Sequence, residues 1–170
     1  MKYWLMKSEP NSFSFEDLKN AVNQTTPWDG VRNYQARNFM KNDMEIGDIV
    51  LFYHSNCPTP AVVGLGMIVS EAYPDFTQFD EKSKYYDPKS SKDKPRWFLV
   101  DVKYLMDFPK PVTLSSIKEN DKLSEMLLVK KGMRLSIQPV QDFEFEEIVM
   151  MAGLSLDKVF EEYDKVKKSI

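Results

Sequence analysis

The residues best equipped for chemistry lie in one run, Trp28-Asp29-Gly30-Val31-Arg32-Asn33-Tyr34-Gln35-Ala36-Arg37-Asn38. An indole follows Pro27 at a turn, Asp-Gly comes next, and a helix start then carries Arg and Asn. These supply a flat π surface beside hydrogen-bonding groups and guanidinium donors. A core tryptophan followed by a helix cap would give the same string. A second run, Lys82 to Arg96, holds six basic and two acidic residues, a local charge of +4, with Tyr85 and Tyr86 inside it. Basic groups interleaved with aromatics suit a single-stranded or flipped base, which needs both phosphate neutralisation and a stacking surface. The plain alternative is a solvated lysine loop. The segment is too long for a hairpin turn, and loops of that length are often functional or disordered.

Catalytic constellations are weaker. His54 and Ser55 are adjacent, but neighbours on a strand point to opposite faces, so they do not make a nucleophile and its base. His54, Asn56 and Cys57 are the residue types of a thiol hydrolase, yet such sites converge from distant segments. Cys57 reads as a semi-buried structural thiol. No phosphate-loop, dinucleotide or zinc-protease motif is present. Glu9 and Asp29 are the only carboxylates that suggest a pair, and spacing alone is thin support. The sequence offers no positive case for an enzyme.

Composition narrows the field further. At 170 residues one domain is the default, able to bury roughly 70% of its unfolded surface. A single Cys excludes an intramolecular disulfide, and one Cys with one His excludes a structural zinc site. The net charge of −3 excludes a uniformly basic coat, but residues 141–170 alone carry −4, so the chain is polarised. Tyr3 to Met6 is too short an apolar stretch for a signal peptide, which needs roughly 7–15 residues. Residues 49–70 lack Lys, Arg, Asp and Glu, but a polar run from His54 to Pro60 interrupts them. Two strands joined by a loop explain this better than a membrane span.

The elements that must position these residues follow from periodicity and caps. Strands are predicted at Lys2–Met6, Asp48–His54, Ala61–Val69, Arg96–Leu105, Val112–Leu114 and Leu135–Val140. Gly64 and Gly66 share one strand face, which predicts a bend or a close approach. Ser14-Phe15-Glu16-Asp17 resembles a capping box opening a helix to about Val22. Further helices are expected at Arg32–Lys41, Ser115–Lys118, Asp121–Val129, Phe143–Met151 and Leu156–Lys168, with Gly153 as a stop between the last two. Trp4 reads as core and Trp97 as core or rim. The irregular order predicts an α+β fold with a partly closed, mostly antiparallel barrel.

Seven ordered blocks carry a resemblance. They are Tyr3 to Pro10, the Trp28–Asn38 run, Phe52 to Asn56, Ala72 to Asp75, Tyr86 to Ser90, Pro95 to Trp97 and Leu135 to Val140. Together the sequence resembles the EVE domain over about residues 2–152, leaving 153–170 as a C-terminal helical extension. The resemblance implies a PUA-like fold, a small β-barrel flanked by helices, related to the YTH readers of methylated RNA. It also implies non-catalytic binding of a modified base in DNA or RNA, with the flipped base in an aromatic pocket. By that analogy Lys7, Ser8 and Glu9 form a polar wall, Trp28 stacks on the base and Asp29 approaches the modified edge. Tyr53, Ser55, Asn56 and Tyr85 are further pocket candidates, and Tyr53, Tyr73 and Tyr85 compete for the second aromatic wall. Arg32, Asn33, Arg37 and Lys89 are candidates for the phosphate backbone. No cofactor or metal is expected. The implied protein is an intracellular monomer, cytoplasmic in a bacterium and nuclear in a eukaryote. One stacking pocket, at about 1–3 kcal/mol per base, predicts micromolar-scale, salt-sensitive binding. A general RNA-binding module without modification preference and an enzyme acting on nucleic acid remain the alternatives.

Overall fold

Alternation on two neighbouring strands sets the architecture. In β1 (Tyr3–Ser8) Leu5 joins one core, while Trp4 and Met6 join another. In β3 (Ile49–His54) Ile49, Leu51 and Tyr53 lie on the Leu5 side, and Val50 and Phe52 on the Trp4 side. Both faces of the sheet are therefore covered, which is why the segment from 49 to 70 carries no charge. The computed structural model describes all residues 1–170.

The remaining elements are α1 (Phe15–Asn20), β2 (Thr25–Pro27), α2 (Tyr34–Asn38), β4 (Ala61–Ile68), β5 (Tyr73–Pro74), β6 (Phe98–Leu99), β7 (Asp101–Thr113), α3 (Leu114–Glu119), β8 (Ile137–Val140), α4 (Asp142–Met151) and α5 (Leu156–Lys168). Six strands form one sheet in the order β2-β7-β4-β3-β1-β8, and β5 pairs with β6 alone. Only β1 and β3 run parallel; the other neighbours are antiparallel. The sheet curls as a half-barrel with β2 and β8 at its edges, so the α+β expectation is met.

Several local predictions are refined. A Cβ on Gly64 would sit 2.3 Å from the Phe15 ring, so that glycine admits α1 against the sheet. A register shift between Val62 and Gly64 moves Val62 onto the Leu65 side, away from the glycine face assigned by simple alternation. The two expected strands around residues 96–114 are instead a two-residue β6 and one 13-residue β7. Its ladder with β4 passes directly from Val62↔Val112 to Gly64↔Asp107, leaving residues 108–111 outside the pairing. Pro109 and Pro111 lie there, where a missing N–H costs no ladder bond. The helix expected over Asp121–Val129 is two short 3-10 turns, Asp121–Leu123 and Leu127–Val129. The helix begun by Tyr34 passes into one π-helical turn, Phe39–Asp43.

The C-terminal segment is part of the fold. Val159 and Tyr163 of α5 lie in the Leu5 core, and the Tyr163 hydroxyl donates to the Gly47 carbonyl at 2.8 Å. The 153–170 segment therefore supplies two side chains to that core.

α1 carries the expected capping box. Ser14 Oγ accepts from Asp17 N at 3.0 Å and Asp17 Oδ2 accepts from Ser14 N at 2.8 Å. His54 completes the cap, because its Nε2 accepts the Phe15 N–H at 3.1 Å. Acceptance requires the neutral ring, and burial holds the imidazole below its ordinary value. As pH falls the unfolded chain takes up this proton first. The contribution is therefore fully present above about pH 6.5 and is lost as the pH falls through the lower folded value. Urea midpoints measured from pH 8 down to 5 should decline on the acid side. His54→Gln, whose amide oxygen can accept without titrating, should remove that part of the slope; an unchanged slope contradicts the assignment.

Candidate nucleic-acid interface

A cleft of about 680 Å³ opens where β1 and β2 end. Lys7, Ser8 and Glu9 leave β1 on one side; Pro27, Trp28 and Asp29 leave β2 on the other; Lys84 and Tyr85 reach in from the basic loop. The volume lies within the roughly 300–1,000 Å³ usual for small-ligand sites.

Trp28 is anchored by its backbone, whose N–H donates to the Val100 carbonyl at 2.9 Å. Its ring meets Phe52 edge-to-face at 5.5 Å, leaving only 8% of the residue exposed. The three tryptophans differ in one respect. The indole N–H of Trp4 donates to Asp48 at 3.0 Å and that of Trp97 to Asp87 at 2.8 Å. The Trp28 indole N–H has no protein acceptor, yet it is not sealed among the buried unpaired groups. A buried indole normally finds a partner, so this donor is left for whatever occupies the cleft.

The opposite wall is built around a buried carboxylate. Asp75 is fully buried and accepts from the Gly30 N–H at 2.8 Å, from Arg32 Nη1 at 3.1 Å and from the Thr77 N–H at 2.8 Å. Arg32 also donates to the Tyr85, Val31 and Thr77 oxygens, so all five of its N–H groups are engaged. Its guanidinium carbon lies 5.4 Å from the Tyr85 ring and 5.1 Å from the Trp97 ring. Tyr85 packs flat against Gly30, where a Cβ would approach the ring to 2.6 Å. Gly30 has φ +83°, the left-handed region that glycine adopts without strain.

The basic loop is ordered by a second buried polar side chain. Gln78 Nε2 donates to the carbonyls of Asp75 and Trp97, and its Oε1 accepts from Ser90 Oγ, Arg96 N and Trp97 N. One buried amide thus ties Ser90 and the C-terminal end of the loop to the Asp75 turn. The lysines stand outside this frame, and Lys84 Nζ lies 5.0 Å from the Tyr85 ring.

The floor of the cleft is polar. The Lys7 ammonium forms no ion pair, and burial lowers its pKa below the ordinary lysine value. The Asp29 carboxyl is pushed up, first by desolvation and then by the negative charge of Asp75. Ser8 Oγ donates to the Phe13 carbonyl at 2.5 Å, which leaves the oxygen free to accept. Glu9 Oε1 accepts from Asn56 Nδ2 at 3.1 Å. The cleft therefore sets a cationic donor, an indole donor and an acidic acceptor around one space. No grouping of three His, Cys, Asp or Glu side chains with the geometry to hold a metal is found.

Residues 2–151 match the EVE domain family. The chain belongs to that family. Thymocyte nuclear protein 1 of Homo sapiens is 44% identical over 166 residues, covering 88% of this chain and 73% of that protein. The human THYN1 protein, solved in complex with 5-methylcytosine containing DNA, superposes with a TM-score of 0.85 at 43% identity, over 89% of this chain and 98% of that one. A crystal structure from Pseudomonas putida gives a TM-score of 0.84 at 45% identity, over 88% and 99% of the two chains. The curled sheet flanked by helices is the PUA-like fold. No helix of this EVE domain is long and apolar enough to cross a membrane.

Within this EVE domain the cleft brings together Lys7, Ser8, Glu9, Trp28, Asp29 and Tyr85. Three pocket candidates lie elsewhere. Tyr53 is 3% exposed in the Leu5 core, where burial pushes its phenol up to about 12. Ser55 and Asn56 do not line the cleft but bond to residues that do; Ser55 N donates to the Ser8 carbonyl, and Asn56 holds Glu9. Of the competing tyrosines only Tyr85 lines the cleft, since Tyr73 is tied to Asp101 at 2.6 Å. Among the phosphate candidates, Arg32 has no N–H to spare, and Asn33 Oδ1 is used as the α2 N-cap, accepting from Ala36 N at 2.9 Å. Arg37 engages three of its five N–H groups, and Lys89 is exposed outside the cleft. Lys84, Asp75 and Gln78 were missed as parts of the site. Lys84 carried a signal, because it adjoins Tyr85 in the basic run.

Proposed function

We propose that this EVE domain is a non-catalytic reader of a modified base in a nucleic-acid strand, holding the flipped base between Trp28 and Tyr85. The observation that carries the reading is the Trp28 indole N–H, a donor without a protein acceptor on a residue that lines a cleft also holding an unpaired lysine. A base offers ring faces to stack and edge acceptors for these donors. Asp29 supplies the acceptor that an exocyclic amine needs. The DNA complex of the human relative supports a 5-methylated cytosine as the first ligand to try. Neither His54 nor Cys57 lines the cleft, and His54 Nε2 is occupied by the Phe15 N–H, so neither the thiol nor the imidazole faces the bound base.

The test is a paired titration. DNA and RNA strands with one 5-methylcytosine, and the same strands unmodified, are titrated at two salt concentrations. The reading expects tighter binding of a modified strand, with affinity falling as salt rises. Equal affinity for modified and unmodified strands of both polymers would select a general nucleic-acid module instead.

A further inference from the structure

We propose that the outer face of Tyr34 is a second stacking site, taking the nucleobase next to the one in the cleft on the same strand. This rests on the base-reading function above and extends it by one nucleotide. Tyr34 begins α2 and is 52% exposed, which is unusual for an aromatic ring held flat. It stacks on Trp97 with centroids 4.8 Å apart and planes 17° from parallel. Trp97 is itself fixed by its bond to Asp87 and by burial that leaves 6% of the residue exposed. The ring is therefore preorganised, so a second ring stacking on it orders little further.

Trp97 covers one face of the ring, and half of the residue is exposed. The Arg37 guanidinium carbon lies 4.8 Å from the Tyr34 centroid and 5.9 Å from the Trp97 ring. With the rings 4.8 Å apart, that triangle puts the guanidinium beside the stack and not over the outer face of Tyr34. Arg37 keeps two N–H groups free of protein acceptors, and Lys41, 4.7 Å from the Phe98 ring, adds an exposed ammonium. Cations beside an open aromatic face are the two components of a sequence-tolerant single-strand site.

The platform is continuous with the cleft. Arg32 is sandwiched between Tyr85, which lines the cleft, and Trp97, which backs Tyr34. The successive spacings of 5.4, 5.1 and 4.8 Å join Tyr34 to the cleft wall through Arg32 and Trp97.

The experiment compares 5-methyl-dCMP with a short single strand carrying 5-methylcytosine, each titrated with the parent, Tyr34→Ala and Tyr34→Phe. A 2-aminopurine beside the modified base reports stacking by its fluorescence. Tyr34→Ala is expected to weaken the strand about 5- to 150-fold, to leave the mononucleotide unchanged and to abolish the 2-aminopurine quenching. Tyr34→Phe should behave as the parent. A Tyr34→Ala protein that binds the strand like the parent overturns the proposal while leaving the cleft reading intact. Equal losses for strand and mononucleotide also overturn it, because Tyr34 would then act through the cleft. A parent that binds neither ligand overturns both.

Discussion

Asp75→Ala is expected to lower unfolding free energy by about 3–5 kcal/mol, the range for breaking a buried charge pair from one side. The carboxylate is fully buried, whereas the Arg32 side chain is 22% exposed, so the lower part of that range applies. The substitution leaves one Arg32 Nη1 hydrogen and the Gly30 and Thr77 N–H groups without their acceptor at once. Gly30 and Arg32 are the two supports of Tyr85, so the cleft wall loosens with them. Asp75→Asn keeps the shape and one acceptor oxygen, and should cost less. Urea unfolding of the three proteins checks this, with binding measured where each is folded. An Asp75→Ala protein as stable as the parent would mean that Asp75 is not the keystone of the wall.

Trp28→Ala carries the second large effect, and it has two parts. The ring is nine-tenths buried against Phe52, so truncation should cost about 3–5 kcal/mol of stability as a core deletion. It also removes the stacking surface and the indole donor, which should weaken binding of a modified strand about 5- to 150-fold. Trp28→Phe separates the parts. It retains most of the apolar contact and so most of the stability, but it lacks the N–H. The account expects it to remain several-fold weaker than the parent, by about 0.5–1.5 kcal/mol for one hydrogen bond. Calorimetry at a temperature where all three are folded makes the comparison. A Trp28→Phe protein with parental affinity would remove the indole N–H from the site.

How much of this was legible in the sequence depends on how local each interaction is. The strands β1, β3 and β4 were readable because apolar runs and alternation need no distant partner. The Ser14 cap was readable because both partners lie three residues apart. β2 has three residues and β5 two, too few for any period to show. Tyr53 was placed in the pocket by the resemblance, whereas it shares its strand face with Ile49 and Leu51 and lies with them in the core. Arg32 looked free because its acceptors, Asp75, Thr77 and Tyr85, lie more than forty residues downstream. Asp75 and Gln78 were invisible for the same reason, since a short polar residue near a turn does not announce burial. By contrast Trp28 and Lys7 were found through the motif blocks and Tyr85 through the basic run that holds it, and the fold gathers them at one cleft.

That cleft either receives a base or it does not, and the methyl group of a bound 5-methylcytosine can report which. With the methyl carbon labelled in a DNA strand, NMR of the complex should show its proton resonance shifted upfield by the aromatic rings. It should also show cross-relaxation to Trp28 and Tyr85, both lost in Tyr85→Ala. A methyl resonance that keeps its free-strand position while the protein is fully bound, with no contact to either ring, would contradict the account.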